Sequence, residues 1–278
     1  MKDLADLHIH TTASDGAWTP TQVVQAAADK GLGAIAITDH DTIDGLSEAL
    51  EAGRRAGVIV VPGLEISAIH GAKTEVHVLG YFFDHQYAEL VEQLHILKNS
   101  RESRGRKIVE QLNEAGVNIT FERVSELAQG GAIGRPHVAR ALCEIGAVNS
   151  IDAAFGRWLQ EGAPGYVPRY KISPNDAVRL ILNAGGAAVC AHPGKQVGDE
   201  ILVEMIDQGM CGVEARHPDH GPVTTRYYEK FAAKRALIAT GGSDSHCIQG
   251  GKRTDIGSVT VSVDVVDQLK EAAAQRRK

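Results

Sequence analysis

The feature that most constrains the fold is an alternation of short apolar runs and helical patterns over the first 90 residues. In chain order these are DLHIH, TPTQVVQAAADKG, GAIAIT, SEALEAGRRAG and VIVVPGLEIS. Strand and helix in alternation are typical of a parallel α/β unit. The first helix is well delimited, because Thr19 is an N-cap candidate and Gln22 would complete a capping box. Pro20 suits the first helical position, and Gly31 suits the end.

The alternation is interrupted once. A further strand, TEVHVLGYFF, follows a turn at His70 and Gly71, and the stretch from about residue 87 to 162 then contains only helical patterns. After EGAPGYVP the alternation resumes and ends in a late strand, IGSVTVSV. About seven or eight strands fit a closed barrel or an open doubly wound sheet. We therefore predict a barrel domain over 1–86 and 166–278, with a helical insertion over 87–165 that covers its active site.

Composition excludes several classes of protein. The net charge of −6, without a long basic run, argues against a broad surface for duplex nucleic acid. Four separated cysteines without a C-x-x-C pair fit reduced thiols rather than disulfides. The N-terminus lacks an apolar signal region, and no apolar run is long enough to span a membrane. The sequence predicts a cytoplasmic enzyme with no membrane partner.

Histidines and carboxylates collect at the predicted strand ends, where parallel α/β folds bind ligands. Alternation along a strand would turn Leu7 and Ile9 to one face and His8 and His10 to the other. The same reasoning places His77 opposite its apolar neighbours. The candidates at or near strand ends are His8, His10, His40, Glu65, His77, His192, Asp244 and His246, and Asp15 follows the first strand in a turn.

Each candidate also has an ordinary structural interpretation. Asp15 could be only a turn residue, Asp244 only a helix N-cap, and His77 only a hydrogen-bonded core histidine. Five histidine-bearing strand ends in one chain make coincidence a poor explanation for the whole set. Imidazole and carboxylate ligands suit Zn²⁺, Mn²⁺ and Fe²⁺, and the set is too large for one ion. Two or three divalent metal ions are therefore predicted.

The motifs DLHIHTTASDG, AITDHDT, PGLEIS, EVHVLGY, RPHVAR, AHPG and GSDSH resemble those of the polymerase and histidinol phosphatase (PHP) superfamily of metal-dependent phosphoesterases. The resemblance extends from Asp6 to His246 and implies a distorted (β/α)7 barrel with a trinuclear metal cluster. It implies three ligand sets. They are His8, His10, Glu65 and Asp244; then Glu65, His77 and His192; then Asp15, His40 and His246.

Within the superfamily, the insertion and RPHVAR resemble the branch that hydrolyses nucleoside 3′,5′-bisphosphates to nucleoside 5′-monophosphates and phosphate. The resemblance implies that Arg135 and His137 bind the substrate phosphate and act in catalysis, with Arg135 the better candidate because its fork matches phosphate oxygens. The leaving alkoxide would take a proton from His137 or from a metal-bound water. Lys195 is a further candidate substrate contact.

These motifs do not fix the substrate. A relative in this branch trims short RNA from the 5′ end, so short RNA ends compete with a small phosphorylated nucleotide as the partner. A histidinol-phosphatase-like activity and a non-catalytic scaffold also stay open. His217 and His220 have no assigned role and are either surface residues or substrate contacts. The basic stretch Arg169-Tyr170-Lys171 could approach a second phosphate or lie in a solvated loop.

Overall fold

The computed structural model describes residues 3–71, 74–128, 131, 133–168, 170, 172–194, 196–248 and 255–276. Within them eight strands form one sheet in the order β7-β6-β5-β4-β3-β2-β1-β8. The strands are β1 (Leu4–Ile9), β2 (Ala34–Ile37), β3 (Ile59–His70), β4 (Thr74–Tyr81), β5 (Ala187–Cys190), β6 (Gly212–Arg216), β7 (Ile238–Gly241) and β8 (Val261–Ser262).

Helices cover the sheet and fill the long interval between β4 and β5. They are α1 (Pro20–Asp29), α2 (Leu46–Ala56), α3 (Ala88–Glu114), α4 (Phe121–Leu127), α5 (Arg135–Glu144), α6 (Ile151–Ala154), α7 (Pro174–Asn183), α8 (Asp199–Asp207), α9 (Pro222–Lys234) and α10 (Asp264–Arg276), with a π-helical turn at Phe155–Leu159. The predicted capping box of α1 is present, with Thr19 and Gln22 each accepting from the other's backbone N–H. No helix of the described segments is both long and apolar enough to cross a membrane.

The sheet curls until its two ends approach each other. Ile9 at the end of β1 forms a parallel bridge with Ser245, which follows β7, and the backbone N–H of His10 donates to the carbonyl of Ser245 at 2.9 Å. Gly242 permits this approach, because a Cβ there would lie 2.4 Å from the backbone nitrogen of His8. The predicted distorted α/β barrel is confirmed, and the open doubly wound sheet is not what forms.

Apart from the short β8, which pairs antiparallel with β1, one strand breaks the parallel pattern. β4 pairs antiparallel with both β3 and β5, whereas β1, β2 and β3 run parallel to one another, as do β5, β6 and β7. The cause is the turn at Gly71, whose φ of 61° lies in the left-handed region that glycine adopts easily. Because β4 runs antiparallel to β3 and β5, His77 lies beside Ser67 in β3 and next to the carboxyl end of β5, where the backbone N–H of Ala191 donates to its carbonyl.

Two apolar clusters pack on opposite sides of the sheet. The outer cluster contains Ile9, Ile35 and Val78 and packs against the helices. The inner cluster contains Leu7 and Tyr81 and fills the barrel. The expectation that Leu7 and Ile9 share a face was therefore wrong. The register of β1 shifts between Asp6 and Ile9, and such an irregularity breaks simple alternation.

Helix α10 closes the inner cluster and was not expected from the sequence. Val265, Val266, Leu269 and Ala273 of this helix are buried with the inner residues of the strands. The late strand that precedes it is only Val261–Ser262, paired antiparallel with β1. Most of the predicted run IGSVTVSV is therefore connection rather than strand.

The helices between β4 and α7 have an apolar core of their own, which includes Leu112, Leu142 and Leu159. Helix α3 contributes to both cores. At 27 residues it is about 40 Å long, and Leu90 near its start packs with the barrel while Leu112 near its end packs with the insertion. The helical segment is thus attached to the barrel by a continuous helix.

Candidate metal centre

The candidate ligands from distant parts of the chain meet at one rim of the barrel. His8 lies in β1 and His10 follows it, and Glu65 lies within the long strand β3 beside His40, with which it forms a parallel bridge. The others are His77 in β4, His192 after β5, Asp244 and His246 after β7, and Asp15 in the loop after β1. All nine belong to groups whose potential ligand atoms lie within 4.8 Å of one another.

Four of these side chains bring their polar atoms into close contact. The Nε2 atoms of His8 and His10 are 3.2 Å apart. Oε2 of Glu65 is 3.5 Å from the first and 3.4 Å from the second, and Oδ1 of Asp244 is 3.5 Å and 3.0 Å from them. Ligands about 2.1 Å from a tetrahedral ion are about 3.4 Å apart. The five measured pairs therefore have the spacing of ligands that share a cation. His8, His10 and Glu65 form one group of potential ligand atoms within 4.8 Å of one another, and Asp244 belongs to a group with His8 and His192.

The other oxygen of Glu65 faces a second group. Oε1 is 2.7 Å from Nδ1 of His77 and 3.0 Å from Nε2 of His192. Because each carboxylate oxygen of Glu65 faces different histidines, this one side chain lies between two ligand groups.

A third group surrounds Asp15. Its Oδ1 is 3.3 Å from Nε2 of His246 and 3.9 Å from Nδ1 of His10, and His40 completes the group. His40 also belongs to a group with Glu65 and His77. The structure thus places His10 and His40 between groups, which the sequence did not indicate.

The donor set fits divalent cations. Nδ1 of His40 and Oε2 of Glu65 are 2.7 Å apart, yet within the described residues neither atom has a hydrogen-bond partner, and the same holds for Nδ1 of His10. Buried polar atoms without partners are rare in native proteins. Buried atoms in this state are expected where they are ligands of a cation.

Electrostatics favours ionised carboxylates at this rim. Burial would raise the pKa of Glu65, but the charges of His40, His77 and His8 hold it well below its usual range. Burial likewise opposes ionisation of Asp15, and His246 and His40 outweigh it, so that its pKa is also well below normal. Anionic ligands are thus available at neutral pH.

Further buried carboxylates lie behind the ligands and hold their loops. Asp39 accepts hydrogen bonds from the backbone N–H and hydroxyl of Thr11, both at 2.7 Å, and from the hydroxyl of Ser14. Asp6 accepts from the backbone N–H groups of Ser243, which directly precedes Asp244, and of Gly257. Neither aspartate was identified from the sequence, although a carboxylate inside or at the end of an apolar strand is a usable signal.

A cavity of about 470 Å³ opens beside the cluster. It is lined by His40, Glu65, His77, His192, Pro193, Gly194, Gln196, Asp219, His220 and Asp244. Its volume lies within the range of about 300–1,000 Å³ that is typical of small-ligand pockets. A molecule bound there would contact the candidate ligands directly.

The candidate phosphate contacts lie on α5, outside the described lining of this cavity. Nη2 of Arg135 is 3.5 Å from Oε1 of Glu75, and its guanidinium lies 5.5 Å from the centre of the Phe155 ring. His137 is buried, and its Nδ1 accepts the backbone N–H of Gly134 at 3.0 Å. Lys195 falls outside the described residues, as do Arg169 and Lys171.

The two unassigned histidines are not surface residues. His217 is 3% exposed, and its Nε2 is 3.2 Å from Oδ2 of Asp244. His220 is 8% exposed, and its Nε2 accepts the backbone N–H of Gly194 in the cavity wall. His217 therefore touches a candidate ligand rather than solvent.

Known proteins are similar to this chain in sequence. The family model described as PHP domain matches residues 6–160. A 3′,5′-nucleoside bisphosphate phosphatase of Chromobacterium violaceum is 35% identical over 258 residues, which cover 91% of this chain and 90% of that protein. The 5′-3′ exoribonuclease Rnm of Escherichia coli is 39% identical over 248 residues, covering 87% and 84% respectively.

Solved structures share the fold. A protein of Bifidobacterium adolescentis, described as a metal-dependent phosphoesterase, superposes with a TM-score of 0.90 at 31% identity, and the match covers 96% of both chains. These relatives and this structure point to the same class of phosphate-ester chemistry.

Proposed function

Because the chain belongs to the PHP domain family of metal-dependent phosphoesterases, we propose that it removes the 3′-phosphate of nucleoside 3′,5′-bisphosphates, giving a nucleoside 5′-monophosphate and phosphate. The observation that carries the proposal is the set of four ligand atoms, 3.0–3.5 Å apart in the pairs measured, beside a cavity of about 470 Å³. The 35% identity to a bisphosphate phosphatase along nearly its whole length supports this substrate.

In the proposal, the nine side chains hold two or three divalent ions such as Mn²⁺, Zn²⁺ or Fe²⁺. His8, His10, Glu65 and Asp244 form one site, and Glu65 is shared with the site of His77 and His192. Asp15, His40 and His246 form the third. Bound ions in such sites supply a hydroxide nucleophile at neutral pH and neutralise charge on phosphoryl oxygens.

The residues of the helical insertion position the substrate. Arg135 turns from Glu75 toward the phosphate, where its planar fork matches two phosphoryl oxygens. Glu75 is 42% exposed, so this ion pair is weak and is readily exchanged for a phosphate. The insertion, proposed to span 87–165, thereby covers the reacting group and excludes water.

His137 acts as a neutral hydrogen-bond donor in this scheme. Burial lowers its pKa to about 4, so the ring is uncharged at neutral pH. Since Nδ1 accepts the N–H of Gly134, the ring proton is on Nε2. A neutral imidazole with Nε2–H can orient a phosphate oxygen, and protonation of the leaving alkoxide falls to a group with a higher pKa.

The test is phosphate release from adenosine 3′,5′-bisphosphate, compared with AMP, 3′-AMP, histidinol phosphate and a short 5′-phosphorylated RNA, on protein of measured metal content. We expect phosphate and AMP from the bisphosphate and no phosphate from AMP. The variant His10→Ala should lose metal and activity, whereas His95→Ala, on the exposed face of α3, should keep both. No release from any of these compounds by fully metal-loaded protein would refute the proposal.

A second candidate function is 5′-3′ exoribonuclease activity on short RNA. It is favoured by the 39% identity to the Escherichia coli exoribonuclease. Chromatography of the RNA products separates the two activities, because an exonuclease releases mononucleotides in sequence from the 5′ end. Release of mononucleotides with no phosphate from the bisphosphate would favour the nuclease.

A further inference from the structure

Strand β6 contributes none of the nine candidate ligands, yet it carries a carboxylate among them. Glu214 is fully buried on the inner side of the barrel. Its Oε1 is 3.0 Å from Nδ1 of His8, and its Oε2 accepts the backbone N–H of His192 at 2.7 Å. One side chain thus contacts two ligand-bearing segments that are 184 residues apart in the sequence.

The contact with His8 determines which ring nitrogen is free. An ionised carboxylate can only accept hydrogen bonds, so Nδ1 of His8 must carry a proton. The Nε2 atom, which faces Glu65 and Asp244, is then the nitrogen available to a metal ion.

The contact between Glu214 and His192 restrains an unusual backbone conformation at His192. His192 has a φ of 20°, a conformation that non-glycine residues adopt only when their surroundings enforce it. The hydrogen bond from its N–H to Glu214 supplies such a restraint. It keeps Nε2 of His192 within 3.0 Å of Oε1 of Glu65.

The segment after β6 acts on a third ligand. Nδ1 of His217 accepts the backbone N–H of Asp219 at 3.1 Å, so its proton is on Nε2. That Nε2–H points at Oδ2 of Asp244, at 3.2 Å. The other oxygen, Oδ1, is the one that faces His8 and His10.

We propose that Glu214 and His217 are positioning residues of the metal centre. Glu214 fixes the tautomer of His8 and the turn at His192, and His217 fixes the carboxylate of Asp244. The inference rests on the proposed function, because it requires that these ligands bind ions. Partners that orient metal ligands are typically worth about 10- to 100-fold in metal affinity.

The test compares Glu214→Gln with Glu204→Gln, an exposed glutamate on α8 whose partner is His70. Glutamine keeps the shape of Glu214 but has one acceptor oxygen instead of two. It therefore cannot accept from both the ring of His8 and the backbone N–H of His192. Zinc affinity is measured by competition with a chromophoric chelator, metal content by mass spectrometry, and stability by urea unfolding in excess chelator. We expect zinc binding about 10- to 100-fold weaker in Glu214→Gln and unchanged in Glu204→Gln.

The readouts separate positioning from general stability. A purely structural role would lower the urea midpoint of the metal-free protein and leave the zinc affinity of the folded protein unchanged. Wild-type affinity and metal content in folded Glu214→Gln would overturn the inference while leaving the proposed function intact. A wild-type protein that binds no zinc would overturn both. His217→Phe, which keeps a ring but removes the donor, is expected to weaken zinc binding in the same direction.

A measurement on the wild-type protein covers the case in which Glu214→Gln does not fold. Nitrogen-15 NMR of the zinc-loaded protein, labelled at histidine, reports which nitrogen of His8 carries a proton. We expect a proton on Nδ1 and metal on Nε2. The reverse assignment would overturn the inference.

Discussion

A buried ion pair joins the helical insertion to the loop that presents His40. Arg101 lies in the middle of α3 and is 7% exposed, and its Nε donates to Oδ2 of Asp41 at 2.5 Å. Its Nη2 donates to the hydroxyl of Ser67, and Oδ1 of Asp41 accepts the N–H of Ser67. Because Asp41 follows His40 directly, the pair links α3 to the metal centre.

Removing either partner should be costly. Arg101→Met removes the guanidinium that the buried carboxylate of Asp41 contacts, and Asp41→Asn removes the charge that the buried guanidinium of Arg101 contacts. Loss of one partner of a buried pair costs about 3–5 kcal/mol. Asparagine is the suitable replacement because Asp41 has a φ of 53°, which asparagine tolerates. The double variant removes both charges of this pair. The loss of stability in the double variant should therefore be smaller, by about 2 kcal/mol or more, than the two single losses added together.

The measurement is urea unfolding of the four proteins in excess chelator, since bound metal would add its own stabilisation. The same helix and loop offer a matched control in the exposed pair of Lys98 and Asp44, which are 2.7 Å apart. Exposed pairs contribute about 0.2–1 kcal/mol, so the cycle of Lys98→Met and Asp44→Asn should show little coupling. Coupling at Arg101 and Asp41 no larger than at this control would refute the reasoning.

Three further predictions concern the site. Glu65→Gln should lose more than one ion per chain, because both of its oxygens face histidines; full metal content by mass spectrometry would contradict this. Arg135→Lys should lower kcat/KM for the bisphosphate about 10- to 100-fold, through loss of the planar fork, at unchanged metal content. His137 has a pKa of about 4 when folded and about 6.5 when unfolded, so the unfolded chain binds more protons between these values. Stability should therefore fall as the pH drops from about 6.5 to about 4, by up to about 3 kcal/mol more in wild type than in His137→Asn. Parallel pH profiles of unfolding for these two proteins would show that the pKa of His137 is not depressed.

The sequence predicted the candidate site where its residues follow from the order of strands and helices along the chain. Alternation of strand and helix places the ends of parallel strands at one rim, so residues such as His40 and His192 could be brought together without coordinates. The family motifs then supported a closed barrel over an open sheet. The same local logic failed at Leu7, because an irregular strand register changes which face a residue occupies and leaves no mark in the residue types.

This approach could not predict the role of residues whose contacts lie far away in the sequence. Glu214 is the one acidic residue in the run GVEAR, and its partner His8 is 206 residues away in the sequence. A weak signal was present, since Val213 and Ala215 face the helices and a glutamate at the alternate position must point into the barrel. That signal indicates a buried charge but not what it contacts. Only the closure of the barrel, which brings β1 beside β7 and near β6, supplies the contact.

The buried carboxylates show why a count of acidic residues does not locate a metal centre. Asp39 is fully satisfied by Thr11 and Ser14, and a buried anion with that many donors needs no cation. Glu65 is equally buried, yet its Oε2 has no hydrogen-bond donor among the described residues and lies 2.7 Å from a histidine nitrogen that also has none. A buried carboxylate oxygen without a donor is unfavourable unless a cation takes the donor's place. The unsatisfied lone pairs, rather than the acidic residues as such, therefore mark where we expect ions to bind, and metal binding should stabilise the folded chain as well as equip it for catalysis.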